Sequence, residues 1–177
     1  MTTLYLFPTS KEAEGLLSRR ADLKSQVGFV GVGMAEAAAS TARLIVEHRP
    51  RRVVLCGIAG ACDEGMERGS VVEVVEDSEY GLPALYAERY EPQRLTSLPA
   101  VKAFTVSRSG ASVAEAEPAV EQMEGAAVGA VCRAWGVEYS HLRGISNLVG
   151  EPKQMWRIAE AVESLTNVLC ELYDSEK

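Results

Sequence analysis

Six short runs in this chain have the composition of strands, and most are apolar without interruption: Leu4–Phe7 (LYLF), Gln26–Gly33 (QVGFVGVG), Arg52–Gly60 (RVVLCGIAG), Ser70–Glu76 (SVVEVVE), Ala103–Ser107 (AFTVS) and Glu138–Ser146 (EYSHLRGIS). A strand with one wet face alternates apolar and polar residues, so continuous apolar runs mark strands covered on both faces. Between them lie segments at helical spacing, Ala35–His48, Pro118–Gly136 and Trp156–Ser175. Such an alternation admits few architectures and predicts a three-layer α/β/α domain with helices on both faces of a central sheet. The stretch Glu79–Ala100, with three prolines, reads as a surface excursion. With 177 residues and no internal repeat or linker, the chain (1–177) is expected to form one domain.

Charge and composition exclude several function classes. A net charge of -7 leaves no clustered Lys and Arg surface for phosphate backbones, and the short basic patches at Arg49–Arg52 and Arg19–Arg20 do not reverse that, so no nucleic acid partner is expected. No apolar run approaches the roughly 20 residues of a membrane helix. The N-terminal stretch has neither a basic leader nor a long apolar core, so no signal peptide is read and a cytoplasmic protein is expected. Four scattered cysteines (Cys56, Cys62, Cys132, Cys170) show no C-x-x-C pair and are read as free thiols, with no metal site.

In folds of this class ligands collect beyond the carboxyl ends of the strands. Gly31-Val32-Gly33, Gly57-Ile58-Ala59-Gly60 and Ser146-Asn147 stand at those ends, where small residues let a ligand approach the backbone. The GVG triplet lacks the third glycine of a dinucleotide fingerprint, and neither a P-loop nor a G-x-S-x-G elbow occurs. His48 and His141 are read as structural, the first at a helix end and the second inside a strand. Glu124 stands at the start of a small, apolar helix, where the helix dipole alone would favour a carboxylate. Glu12 follows the first strand, where it could equally be a first-turn helix residue behind a Ser10 cap.

The order of the segments FPTSKEAEGL, VGVGMAEAAA, CGIAGACDEGMERGSVV, VEQMEGAAVGAVCRAWGV and LRGISNLVG resembles the purine nucleoside phosphorylase superfamily, in its hydrolytic branch of methylthioadenosine/S-adenosylhomocysteine nucleosidases and futalosine hydrolases. The MEGAAVGAVC helix followed by RGISN is the specific part. The resemblance implies a twisted mixed sheet flanked by helices, and cleavage of the N-glycosidic bond of a purine nucleoside without cofactor or metal. It implies that Met123 packs on the ribose and that Glu124 accepts from its hydroxyls. A vicinal diol offers two donors and one carboxylate can take both. It further implies that Glu12 orients the attacking water and Asn147 meets the purine N7 and its six-position substituent. Gln122, Ser146, Gly33, Ile58, Ala59 and Gly60 would line the substrate site.

At position 147 the methylthioadenosine type carries aspartate. An amide with two N–H donors complements the N7 and O6 acceptors of a 6-oxopurine, whereas a protonated aspartic acid suits adenine. A 6-oxopurine nucleoside such as futalosine, an inosine derivative of menaquinone biosynthesis with an aromatic carboxylate at its 5′ end, is therefore the expected substrate. Adenine nucleosidase and phosphorolytic activities are the alternatives. Another departure is Glu151-Pro152-Lys153, where an arginine-bearing segment is expected after NLVG. The resemblance also implies a homo-oligomer, most simply a dimer, with Leu82, Leu85, Tyr86 and Tyr90 as candidates to cover a neighbour's 5′ pocket.

Overall fold

The structure is a computed structural model and describes residues 2–112 and 118–175. Eight strands, β1 (Thr3–Phe7), β2 (Val27–Phe29), β3 (Arg52–Ala61), β4 (Val71–Glu79), β5 (Arg89–Tyr90), β6 (Ala100–Thr105), β7 (Ala119–Gln122) and β8 (Glu138–Leu148), form one mixed sheet. Among the described residues four α-helices cover it: α1 (Ser10–Arg19), α2 (Met34–His48), α3 (Gly125–Trp135) and α4 (Ile158–Ser175). The continuous apolar runs are explained by burial on both faces. Leu4, Leu6, Val53 and Leu55 pack beneath α2 and α3, while Tyr5, Phe7, Val54 and Cys56 pack beneath α1 and α4. The three-layer expectation therefore holds.

Part of the sheet also closes on itself. β3 pairs with β8, β8 with β4, β4 with β6, β6 with β7, and β7 returns to β3 through Gly60 and Ala61. Apolar residues from all five strands, most of them small, including Ala59, Ala61, Val72, Ala103, Val120 and Ile145, fill the ring. Small side chains suit the inside of so narrow a closed sheet.

Several boundaries depart from the sequence reading. The helix expected from Pro118 starts only at Gly125, because Ala119–Gln122 completes the closed sheet as β7. The strand expected over Gln26–Gly33 ends at Phe29, and Gly31 and Gly33 take φ of 81° and 92°, which a strand does not accommodate. Thr9, not Ser10, caps α1. The 79–100 excursion carries the short strand β5, and among the described residues no helix is long and apolar enough to cross a membrane.

Candidate active site

A cavity of about 330 Å³ opens at the carboxyl ends of β1, β3, β7 and β8. It brings together Glu12, Ile58, Ala59, Gly60, Gln122, Met123, Glu124, Ser146 and Asn147 from four separated segments. Gly33 does not line it but bears on it through its backbone N–H, which donates to Glu124.

Glu12 sits in the first turn of α1, behind a Thr9 cap rather than Ser10, and it lines the cavity. Its Oε2 accepts from the Thr9 N–H at 3.1 Å and the Thr9 hydroxyl at 2.7 Å, a capping box that starts the helix. Its Oε1 accepts from the Ile58 N–H at 3.0 Å, tying α1 to the end of β3. A carboxylate has about four acceptor sites. Three are filled, so one remains for the cavity that Glu12 lines. The close approach needs Gly57, where a methyl group would lie 2.8 Å from Glu12 Oε1 and 2.6 Å from Arg143 Nη1.

Glu124 is the N-cap of α3. Its Oε1 accepts from the Gly33 N–H at 3.2 Å, and its Oε2 accepts from Arg143 Nη2, also at 3.2 Å. The same count leaves two acceptor sites, one on each oxygen, which is the pattern a vicinal diol requires. Gly33 serves because its positive φ turns the chain into α2.

Asn147 follows a slip in register. β3 and β8 pair in parallel until Ala59 meets Ile145, after which Gly60 meets Asn147 and Ser146 is left over. This bulge places Ser146 and Asn147 together at the cavity wall, as bulges re-aim side chains. Asn147 Oδ1 accepts from the Ser146 hydroxyl at 2.7 Å, and its Nδ2 donates to the Leu148 carbonyl at 2.8 Å. The Leu148 carbonyl can only accept, which fixes which end of the amide is nitrogen. One N–H is thereby committed, and one is left for a ligand where the sequence reading expected two. The Glu151 departure stabilises this segment: its carboxylate accepts from the Leu148 N–H at 2.9 Å and pairs with Arg68.

Gln122 lines the cavity, yet its amide is engaged within the protein. Oε1 accepts from the N–H groups of Glu124 (2.8 Å) and Gly125 (2.6 Å) and from Arg143, while Nε2 donates to Asp77 and Thr105. It shapes the start of α3 rather than offering a free polar group.

The sequence reading passed over Arg143, the buried cation of the site. It is 1% exposed and donates to the Ile58 carbonyl, His141, Gln122 and Glu124. The signal was present: an arginine inside the run YSHLRGIS on a strand covered on both faces must find an anion indoors. Beneath it lies Asp77, completely buried, whose carboxyl is pushed up to about 8 by burial, against the opposing effects of the Thr105 hydroxyl and of Arg143. Burial, with the Arg143 charge, holds the His141 imidazole well below its ordinary range, so the ring is neutral.

Comparison with known proteins agrees with this geometry. The family model of the Phosphorylase superfamily matches residues 25–122. The futalosine hydrolase of Thermus thermophilus is 30% identical, over 84% of this chain and 83% of that protein. Among solved structures, a futalosine hydrolase mutant of Helicobacter pylori superimposes with a TM-score of 0.86 at 16% identity, over 99% of this chain and 100% of that one. A 5′-methylthioadenosine/S-adenosylhomocysteine nucleosidase of the same organism, in complex with butyl-thio-DADMe-Immucillin-A, gives 0.85 at 16% identity over 99% of both chains. The chain belongs to the phosphorylase superfamily, in its nucleosidase branch.

Proposed function

We propose that this protein hydrolyses the N-glycosidic bond of a 6-oxopurine nucleoside, with futalosine as its substrate and hypoxanthine as the base released. The observation that carries the hydrolytic reading is the set of polar valences left at the cavity: two acceptors on Glu124, one on Glu12 and one N–H on Asn147. The 6-oxopurine base is supported by the asparagine at position 147 and by the 30% identity to the futalosine hydrolase of Thermus thermophilus. Departure of the purine leaves an oxocarbenium-like sugar and a base carrying the bond's electrons. Glu124 holds the ribose diol. Glu12, with its last acceptor site, orients a water and takes its proton as the oxygen adds to C1′. Asn147 hydrogen-bonds through its remaining N–H to the departing base, where negative charge develops, and the proton that Glu12 took from the water passes through solvent to the base, which leaves as neutral hypoxanthine. Met123 packs against the sugar, and Ser146 keeps the Asn147 amide turned the right way. Arg143 contributes by fixing Glu124.

The outer part of the cavity favours the futalosine assignment. Val32, Trp156, Ile158 and Val162 give it apolar walls, and Lys11, in the first turn of α1, brings a cation to the same space. An aromatic carboxylate on the 5′ carbon meets both. On this reading the reaction belongs to menaquinone biosynthesis and takes place in the cytoplasm. The active species is a homodimer, with the exposed Leu82, Leu85 and Tyr86 of one protomer over the other's 5′ pocket. Tyr90 instead packs on Gly129 of α3 beneath the Arg133 guanidinium, 4.8 Å from the ring centre.

The test is a panel of futalosine, inosine and methylthioadenosine with purified protein. Fastest release of hypoxanthine from futalosine is expected. Faster cleavage of methylthioadenosine than of any inosine derivative would overturn the assignment.

A further inference from the structure

Below the cavity four buried side chains form a closed circuit. Gln122 Nε2 donates to Asp77 Oδ2 at 3.0 Å, Arg143 Nη2 donates to Gln122 Oε1 at 3.1 Å, and Arg143 Nε donates to His141 Nε2 at 2.7 Å. The circuit closes where His141 Nδ1 stands 3.6 Å from Asp77 Oδ2. Tyr139, His141 and Arg143 share one face of β8, being two residues apart. The four members are at most 4% exposed, and the neighbouring Tyr139 is 8% exposed. The room for this arrangement comes from Gly125, where a methyl group would fall 1.9 Å from Asp77 Oδ2 and 2.7 Å from His141 Cε1.

The protons in this circuit can be assigned. Arg143 has only donors, so His141 Nε2 must accept and the neutral ring carries its proton on Nδ1. That N–H faces Tyr139 Oη at 3.2 Å, whose own hydroxyl donates to the Gly125 carbonyl at 3.2 Å. The guanidinium is a rigid plane. Its Nε bond to His141 and its Nη1 bond to the Ile58 carbonyl, at 3.0 Å, set the direction in which Nη2 points, which is at Glu124.

We propose that His141 is a positioning residue for ribose recognition, acting through Arg143 on the Glu124 carboxylate. It touches no substrate. It holds the guanidinium plane so that Glu124 presents one acceptor on each oxygen toward the sugar. This rests on the nucleosidase reading of the site.

The readout is the ratio of kcat/KM on inosine to that on 2′-deoxyinosine, because a deoxynucleoside makes only part of the diol contact. His141→Asn removes the acceptor at the Nε2 position, while His141→Gln returns an acceptor there. In His141→Asn the ratio is expected to fall at least fivefold with KM for inosine raised. His141→Gln should restore it to within about twofold of the wild type. A second arm is a double-mutant cycle: in a Glu124→Gln background, His141→Asn should cost far less than alone, since the carboxylate it serves is gone. An unchanged ratio in His141→Asn, or additive effects in the cycle, would overturn the proposal while leaving the nucleosidase reading intact. Wild-type protein that cleaves neither of these nucleosides nor futalosine would overturn both. Should His141→Asn fail to fold, ¹⁵N NMR of the two histidines in the wild type decides. The proposal requires His141 as a neutral Nδ1–H tautomer at pH 7, and an Nε2–H tautomer would refute it.

Discussion

Replacing Glu124 by glutamine keeps its shape and turns one oxygen into an amide nitrogen. That nitrogen must face either the Gly33 N–H or Arg143 Nη2, the two donors that Glu124 now satisfies. Against Arg143, which is buried, it would set N–H groups against a guanidinium with no room to turn away. The amide therefore settles with its oxygen on Arg143 and its nitrogen on Gly33. Three things are lost: the acceptor for Gly33, one acceptor for the ribose diol, and the counterion of Arg143. A hydrogen bond from a hydroxyl to a charged acceptor contributes about 1.5–3 kcal/mol, so kcat/KM on the best nucleoside should fall about ten- to a hundredfold. Both KM and kcat should suffer, because the diol is held in the ground state and the transition state alike. The unpaired Gly33 donor costs the folded protein about 1–3 kcal/mol, which lowers Tm by about 2–4 °C for each kcal/mol in a chain of this size. Steady-state kinetics and thermal unfolding of Glu124→Gln are the assays. A variant with KM and kcat within threefold of the wild type would refute the assignment of Glu124 to the ribose.

Glu12→Gln should behave differently, with kcat down by about a hundred- to ten-thousandfold and KM little changed, since it removes the base and leaves the sugar contacts; retention of most of kcat would mean that water is activated elsewhere. Asn147→Asp should move preference toward adenine nucleosides by about ten- to a hundredfold, read as the ratio of kcat/KM on methylthioadenosine to that on inosine. Asp77 makes a stability prediction. Its folded carboxyl, raised to about 8 from an ordinary 3.8, keeps a proton that the unfolded chain has released. The stability it contributes is therefore complete below about pH 4 and declines as pH rises toward 8, by about 1.4 kcal/mol per unit in between. Asp77→Asn has no such titration, so urea unfolding should show the variant gaining on the wild type between pH 5 and 8; parallel profiles would contradict the raised carboxyl.

The sequence carried the layers of this fold because burial on two faces leaves an unambiguous mark, and Leu4–Phe7 and Arg52–Gly60 show it plainly. It did not carry β7. Ala119–Gln122 runs into α3 with only two residues between, and nothing in PAVEQMEG announces that the first half must close a ring against β3 and β6. In the site, Glu12, Glu124 and Asn147 were legible through motif order, but the number of valences each leaves free was not. Asn147 illustrates the gap: that one N–H is spent on the neighbouring Leu148 carbonyl follows from a register slip which only pairing reveals. Arg143 was visible as a charge in an apolar run, whereas Asp77, in VVEVVEDSEY, looks like one more carboxylate at a wet strand end. The closed sheet buries it instead.

The central claim is that water, held by Glu12, replaces the purine at C1′. Incubating the protein with futalosine or inosine, with and without millimolar phosphate, and separating the sugar products tests it most directly. The account predicts free sugar together with hypoxanthine in equal amounts, at a rate indifferent to phosphate. A sugar 1-phosphate formed at a rate that rises with phosphate would contradict it.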